Sequence, residues 1–244
     1  MTIALLSDIH ANLPALDAVM ADIDGRMPDA VYCLGDLVGY NIWPNEVIHE
    51  IRKRRIPTIA GNHDLKVERG NMKQYSAKTY AYDLVGDAEK DYLLALPAHI
   101  RLEFIVNGAP FSLLFVHGSP RKVDEYLLQD MDEKLLSDIM NDAGANILCF
   151  GHSHKPYHRI LAHRGEENNQ YWHAINIGSV GKPKDGDARA CYVLLTLDEN
   201  SSKFTAESIR VEFVRVPYDI EKAAAAVEES PLPNELADML RKAY

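Results

Sequence analysis

The sequence predicts an α/β protein whose two sheets pack face to face with helices outside. Two observations predict this. The first half alternates short apolar runs with helical patterns, which implies parallel strands joined by helical crossovers. The second half is a series of short strands punctuated by Gly, Asn and Asp, which reads as mostly antiparallel sheet.

The elements follow in order along the 244 residues. Ile3–Ser7 reads as a strand, and Leu13–Ile23 as a helix whose apolar Leu13, Leu16, Val19, Met20 and Ile23 recur at spacings of three and four. Ala30–Leu34 is a second strand. A helix starts at Pro44 and runs to Ile51, and the basic run Arg52–Arg55 is its solvated end, favoured by the helix dipole. Pro57–Ala60 reads as a third strand. Gln74–Leu96 is helical and closes at Pro97. Strands follow at Arg101–Val106, Phe111–Val116, Asn146–Phe150, Tyr157–Leu161, Tyr171–Ile177, Cys191–Leu197 and Ser208–Val216, with an acidic helix around Asp132–Met140. The tail is helical over Ile220–Val227, broken at Pro231 and Pro233, and helical again over Glu235–Lys242. No linker rich in Gly, Pro or Ser divides the chain. Residues 1–244 are therefore expected to form a single domain, with 219–244 packed on it. Self-association through that tail is the alternative, so a homo-oligomer stays open.

Composition narrows the function. The net charge of −10 lacks the basic footprint that a nucleic-acid binder or an adhesion to anionic membrane needs. No apolar run approaches the roughly 18 residues that would span a membrane. The N-terminus lacks a basic, apolar leader pattern. The three cysteines, Cys33, Cys149 and Cys191, are too widely spaced for a zinc knuckle or a disulfide framework. They read as small buried hydrophobes in a reducing, cytoplasmic location.

Five segments share one feature: an apolar strand ends and a metal-capable side chain follows at once. They are Ser7-Asp8-Ile9-His10, Gly35-Asp36, Gly61-Asn62-His63-Asp64, His117-Gly118 and Gly151-His152-Ser153-His154. In open α/β sheets, ligands bind beyond the carboxyl ends of the strands. These segments place three Asp, one Asn and five of the ten His on one such rim. Asp8 and His10 are two apart, as are His152 and His154, so each pair can converge on one ion. Gly35, Gly61, Gly118 and Gly151 are expected to let the backbone turn sharply and approach an ion or phosphate. Carboxylate, imidazole and amide oxygen together suit Mn²⁺, Fe²⁺, Zn²⁺ or Co²⁺. Singly, each segment also reads as turn or cap chemistry; the ordered set of five, each behind a strand, points to metal.

With these motifs in place, the whole chain resembles the calcineurin-like metallophosphoesterases. Val116-His117-Gly118-Ser119-Pro120-Arg121 and Ile175-Asn176-Ile177-Gly178-Ser179-Val180-Gly181 resemble its small prokaryotic branch of phosphodiesterases and diadenosine-tetraphosphatase-like proteins. The resemblance implies a four-layer α/β/β/α sandwich of two mixed sheets with the metal site at the strand C-terminal rim. It implies two divalent transition-metal ions, Mn first, with Fe, Zn, Co or Ni as alternatives. Asp8, His10 and His154 would hold the first ion, and Asn62, His117 and His152 the second. Asp36 would bridge them, and a shared carboxylate is what keeps two such ions roughly 3.5–4 Å apart. A metal-bridging hydroxide would attack the phosphorus in line. His63 would be catalytic rather than a ligand, protonating the departing oxygen or steadying the transition state. Asp64 would orient His63 or serve only as a turn residue.

Substrate residues are less constrained. Arg121 could bind phosphate in fork geometry or lie on the surface. Tyr40, with Trp43, could stack on a nucleobase or pack in the core. Lys182, Lys184 and Arg189 would face either the site or solvent. His49, His99, His158, His163 and His173 fall outside the motifs and read as surface or hydrogen-bonded histidines.

The expected activity is hydrolysis of a small phosphate ester, which includes nucleotides. A phosphodiester or a phosphoanhydride comes ahead of a monoester, and a nuclease ranks low for want of a basic stripe. A protein phosphatase of this superfamily would carry an Arg shortly after Gly-Asp, and Leu37-Val38-Gly39-Tyr40 lacks it. The other class of function is a non-catalytic scaffold of the same fold with eroded ligands, and none of the motif residues is eroded here.

Overall fold

The computed structural model describes residues 1–67, 79–106, 108–164 and 169–244. Its strands are β1 (Thr2–Leu6), β2 (Ala30–Cys33), β3 (His99–Val106), β4 (Ala109–Val116), β5 (Ile147–Phe150), β6 (Tyr157–Arg164), β7 (Asn169–Asn176), β8 (Ala190–Thr196) and β9 (Arg210–Val216). Its α-helices are α1 (Leu13–Arg26), α2 (Pro44–Lys53), α3 (Tyr80–Asp83), α4 (Asp87–Leu94), α5 (Glu133–Asp142), α6 (Ile220–Glu228) and α7 (Glu235–Lys242). One sheet has the order β2-β1-β8-β9 and the other β3-β4-β5-β7-β6.

Alternation along each strand assigns the layers, because successive side chains point to opposite faces. Ala4 and Leu6 of β1 face Leu16, Val19, Met20 and Ile23 of α1 and Val47, Ile48 and Ile51 of α2. Ile3 and Leu5 point the other way, into a core shared with Leu113 and Phe115 of β4, Ile147 and Cys149 of β5, and Val193 and Leu195 of β8. Leu114 and Val116 of β4 and Leu148 and Phe150 of β5 face Leu136, Ile139 and Met140 of α5. The result is helix, sheet, sheet, helix. The tail adds a fourth apolar cluster, in which Ala223, Ala224 and Val227 of α6 meet Ala237 and Leu240 of α7 and the half-buried Trp43.

Three helix starts among the described residues follow the capping rules: Asn12 accepts from Ala15 N (3.2 Å), Asp132 from Leu135 N (2.9 Å) and Asp219 from Lys222 N (2.9 Å).

Two expectations need correction. Pro57–Ala60 is not a strand, and Thr58 makes only an isolated parallel bridge to Cys33. Pro57 has no N–H to continue a ladder, and the Ala60 N–H donates to the Pro97 carbonyl (2.8 Å) instead, drawing the chain off the sheet. The described part of the Gln74–Leu96 helix is split into α3 and α4, because Gly86 is extended between them (φ −66°, ψ 158°). Gln74–Lys78 lie outside the described residues. The second half is mostly antiparallel as expected, in β3-β4, β6-β7, β8-β9 and β1-β8, while β4, β5 and β7 are mutually parallel and β8 and β9 return to the first sheet. Short strands of one apolar face do not reveal pairing direction.

Among the described residues, no helix is long and apolar enough to cross a membrane.

Candidate metal centre

β1, β2, β4 and β5 all end at one edge of the sandwich, and the chain after each carries a motif residue. The two sheets are tied together there by polar bonds. His152 N donates to Asp8 Oδ2 (3.0 Å), and His117 Nδ1 donates to the Leu34 carbonyl (2.8 Å). Asp8, His10, Asp36, His117 and His154 are each at most 3% exposed, and His63 and His152 are 8%.

The backbone at this rim is unusual. Asp8 (φ 54°), His10 (φ 50°), Asp36 (φ 56°), His152 (φ 64°) and His154 (φ 59°) are all left-handed, a conformation uncommon for residues with a side chain. Glycines were expected to make the sharp turns. Of Gly35, Gly61, Gly118 and Gly151, only Gly35 has positive φ. A Cβ on Gly61 would run into the Asp36 carboxylate, and one on Gly151 into the Asp8 carboxylate. These two glycines make room for the acids, and the metal-capable residues themselves carry the turns.

Four imidazoles are fixed through one ring nitrogen each. His10 Nδ1 donates to Val38 O (3.0 Å), His117 Nδ1 to Leu34 O (2.8 Å) and His154 Nδ1 to Lys182 O (2.5 Å). His152 is turned the other way, with Nε2 donating to Asp124 O (3.2 Å). Pinning one nitrogen as N–H leaves the lone pair of the other aimed inward, the usual arrangement around a metal.

With the imidazoles neutral, what converges inside is a set of acceptors without donors. His10 Nε2 and His154 Nε2 are 3.1 Å apart, and His117 Nε2 is 3.1 Å from Asn62 Oδ1. Asp8 Oδ1 and Asp36 Oδ2 are buried and accept no hydrogen bond among the described residues. Buried polar atoms without partners are rare and costly. The ligand atoms of Asp8, His10 and His154 lie within 4.8 Å of one another, as do those of Asp36, His117 and His152. Asp36 also clusters with His10 and His63 at that spacing, so it stands between the two groups.

The protonation pattern has the same origin. Burial works against ionising Asp8, but His154 and His10 hold its carboxyl well below the usual range. Burial likewise opposes the Asp36 charge, and His117 outweighs it, so Asp36 also falls. His117 is the reciprocal case: burial would lower it, but Asp36 lifts it to about 10. In the metal-free chain a proton on His117 takes the place a cation would fill. Burial, with the His10 charge, lowers His63 to about 3, and burial lowers His154 to about 4.

The remaining predicted residues fall as follows. Asp64 does not touch His63. Its Oδ2 accepts from Asp36 N (2.8 Å) and Gly61 N (2.9 Å), and its Oδ1 from Leu37 N (2.8 Å), joining two motif loops. Burial and the Asp36 charge lift its carboxyl to about 7. The partner of His63 is Tyr82 of α3, whose hydroxyl lies 2.5 Å from Nδ1. Nothing in the sequence pairs them, since 19 residues separate them and Tyr82 belongs to no motif. Burial raises the Tyr82 phenol, so it keeps its proton, donates to Nδ1 and leaves the His63 Nε2–H free to donate. Tyr40 is half-buried beside the centre, its ring 4.7 Å from that of His10 and 4.8 Å from that of His63. Tyr126, also missed, stacks on His152 at 4.2 Å. The Arg121 guanidinium is engaged by Glu125 and borders a cavity of about 350 Å³ that His117 also lines. Arg189 pairs with Asp187 and is exposed. Outside the motifs, His158 and His173 bond to each other (2.9 Å), and His173 is fully buried rather than superficial.

Comparison with known proteins agrees with this geometry. The model of the calcineurin-like phosphoesterase superfamily domain matches residues 1–200. An uncharacterized protein of Methanocaldococcus jannaschii, MJ0912, is 32% identical over 98% of this chain and 96% of its own length. A metallophosphoesterase from Sphaerobacter thermophilus superposes with a TM-score of 0.78 at 28% identity, covering 100% of this chain and 99% of that one. The hypothetical protein PH1004 from Pyrococcus horikoshii shares the fold, with a TM-score of 0.77 at 22% identity over 100% of this chain and 98% of that one. The match over most of the chain, together with the cluster of Asp and His at the sheet ends, shows that this chain belongs to the calcineurin-like phosphoesterase superfamily.

Proposed function

We propose that the protein is a binuclear metal-dependent phosphoesterase that hydrolyses a phosphodiester or phosphoanhydride, with the whole chain acting as one unit. The observation that carries this reading is the inward-facing acceptor set. Two facing imidazole nitrogens and two unpartnered carboxylate oxygens fit divalent cations and little else. Asp8, His10 and His154 would hold one ion, Asn62, His117 and His152 the other, and Asp36 would serve both. When bound, the ions would supply Lewis acidity towards the phosphoryl oxygens and a water of lowered pKa as nucleophile, while the rim serines are engaged elsewhere, Ser7 Oγ donating to Leu34 O and Ser153 Oγ accepting from Asn176 Nδ2. Mn²⁺ is the first candidate.

The chain's own groups do the rest. Left-handed turns at Asp8 and Asp36 point both carboxylates into the centre, and Asp64 fixes the loops that carry Asp36 and Asn62. His63 is neutral at physiological pH, with Nδ1 occupied by Tyr82. Its Nε2–H is therefore placed to donate a hydrogen bond to the phosphoryl group or the departing oxygen. Of the two roles expected for His63, donation from a neutral imidazole fits better than release of a proton from imidazolium.

The test is His63→Asn. Metal content and fold should be kept, while kcat on an unactivated diester falls roughly 10²–10⁴-fold. Full activity at normal metal content would overturn the role. An activated aryl ester tests it poorly, because its leaving group needs little help.

A further inference from the structure

We propose that Lys182 and Lys184 form a binding site for a second anionic group of the substrate, a phosphate joined to the one being attacked. The inference rests on the phosphoesterase reading and deepens it: the substrate class becomes the phosphoanhydrides rather than simple diesters.

The turn that carries both lysines is built into the metal centre. Val180 N donates to Ser7 O (3.0 Å), and Gly181 N to Asp8 O (3.0 Å). Ser179 Oγ donates to Asp8 O (2.8 Å) and accepts from Lys182 N (2.8 Å). Asn12 Nδ2 donates to Gly181 O (2.8 Å), and His154 Nδ1 to Lys182 O (2.5 Å). Lys184 N donates to His154 O (3.3 Å). The backbone is thus fixed from the Asp8 loop on one side and from His154 on the other.

The two ammonium groups are placed but not paired. Lys182 is only 2% exposed, and its Nζ lies 5.0 Å from the centroid of the Tyr40 ring, which itself borders His10 and His63. Lys184 is half-buried within the field of Asp8 and Asp36. Neither ammonium makes an ion pair or a side-chain hydrogen bond among the described residues. Cations elsewhere behave differently: Arg121 has Glu125, Arg189 has Asp187, Arg215 has Asp185 and Arg241 has Glu221 and Glu228. Lysine is almost never fully buried without a partner, because a desolvated charge is costly. The acids that act on them do so without forming an ion pair: Asp8 and Asp36 on Lys184, and Glu235 at the start of α7 on Lys182.

Two divalent ions would outweigh Asp8 and Asp36 and leave these ammoniums more exposed to positive charge, not less. A monoanionic diester is served by the ions alone. A polyphosphate supplies the further oxygens that two ammonium groups can bond.

The experiment compares wild type with the Lys182→Met/Lys184→Met double variant on two substrates, diadenosine tetraphosphate and a bis-aryl phosphate. Metal content is measured on each preparation. Each charge-assisted contact is worth roughly tenfold. The ratio of kcat/KM values, tetraphosphate over diester, should fall roughly 30- to 100-fold, mostly through KM, and Lys184→Arg should restore part of it. A calorimetric titration with inorganic pyrophosphate in the His63→Asn background should show a parallel loss of affinity. An unchanged ratio would overturn the site, as would equal losses on both substrates with altered metal content, which is the mark of a charge-balancing role. Wild type that turns over the diester but not the tetraphosphate also overturns it, with the phosphoesterase reading intact. Turnover of neither by metal-loaded protein removes the phosphoesterase reading, while a pyrophosphate affinity lost in the double variant would still support the anion site.

Discussion

The core between the sheets and the rim at its edge are made by the same strands, yet they follow opposite rules. Inside, Ile3, Leu5, Leu113, Phe115, Ile147 and Cys149 alternate regularly with outward residues and are at most 1% exposed. At the rim the same strands break into left-handed turns. Among the described residues, seven of the ten non-glycine residues with positive φ lie there: Asp8, His10, Ala11, Asp36, Tyr40, His152 and His154. The core satisfies every local preference, while the rim combines backbone strain with buried carboxylate oxygens that have no donor. Strain of this kind persists only when its surroundings over-determine it. The difference teaches where stability and function separate in this fold: regular β-structure holds the rim in a state it would not adopt alone.

The sharpest way to break that comparison is to substitute each region in turn. Asp36→Asn keeps the oxygen that accepts from His63 N (2.7 Å) and alters the unpartnered one. Activity should fall by on the order of 10³-fold or more, with loss of bound metal. The metal-free protein loses the Asp36–His117 charge pair but also the burial cost of both charges, so its stability should change by less than in the next variant. Phe115→Ala should do the reverse. It leaves a void between the sheets beside Tyr32, whose ring is 5.1 Å away, and should cost about 3–5 kcal/mol in denaturant unfolding. Its residual folded fraction should bind metal normally. If Asp36→Asn destabilised the metal-free chain as much as Phe115→Ala, the separation would be wrong.

A smaller effect follows from pH. His117 is raised to about 10 in the metal-free chain, against an unfolded value near 6.5. The folded state therefore binds more protons above pH 6.5, and stability falls as pH rises. Between pH 7 and 8 His117 alone contributes a slope of at most about 1.4 kcal/mol per pH unit, and Asp64, raised to about 7, adds in the same sense near pH 7. Above pH 8 the lowered Lys182 acts in the opposite sense, since there the unfolded chain binds more protons. Metal requires His117 unprotonated, so its affinity should rise over pH 7–8. Thermal melts with chelator and with Mn²⁺, at pH 7 and pH 8, should move in opposite directions.

Much of the fold was legible because it rests on period and punctuation. The strands that alternate in and out were readable from Ile3–Leu6, Leu113–Val116 and Ile147–Phe150, and the metal-capable residues from their place just after each. Partners set by tertiary approach were not. Tyr82 reaches His63 from α3, Tyr126 reaches His152 from a loop, and Asp64 binds backbone amides on either side rather than its neighbour. The parallel β4-β5-β7 arrangement within a mostly antiparallel half was hidden for the same reason: it is decided by crossovers, not by residue pattern. The lysines of the Gly181–Lys184 turn were visible as charges, but only burial distinguishes them from solvated ones.

The central claim is that one rim holds two ions with Asp36 between them. The most direct measurement is a crystal structure of the Mn²⁺-loaded protein with anomalous scattering recorded at the Mn edge. The account predicts two peaks roughly 3.5–4 Å apart, one against Asp8, His10 and His154, the other against Asn62, His117 and His152, with Asp36 touching both. A single peak, or two peaks that do not share Asp36, would contradict it.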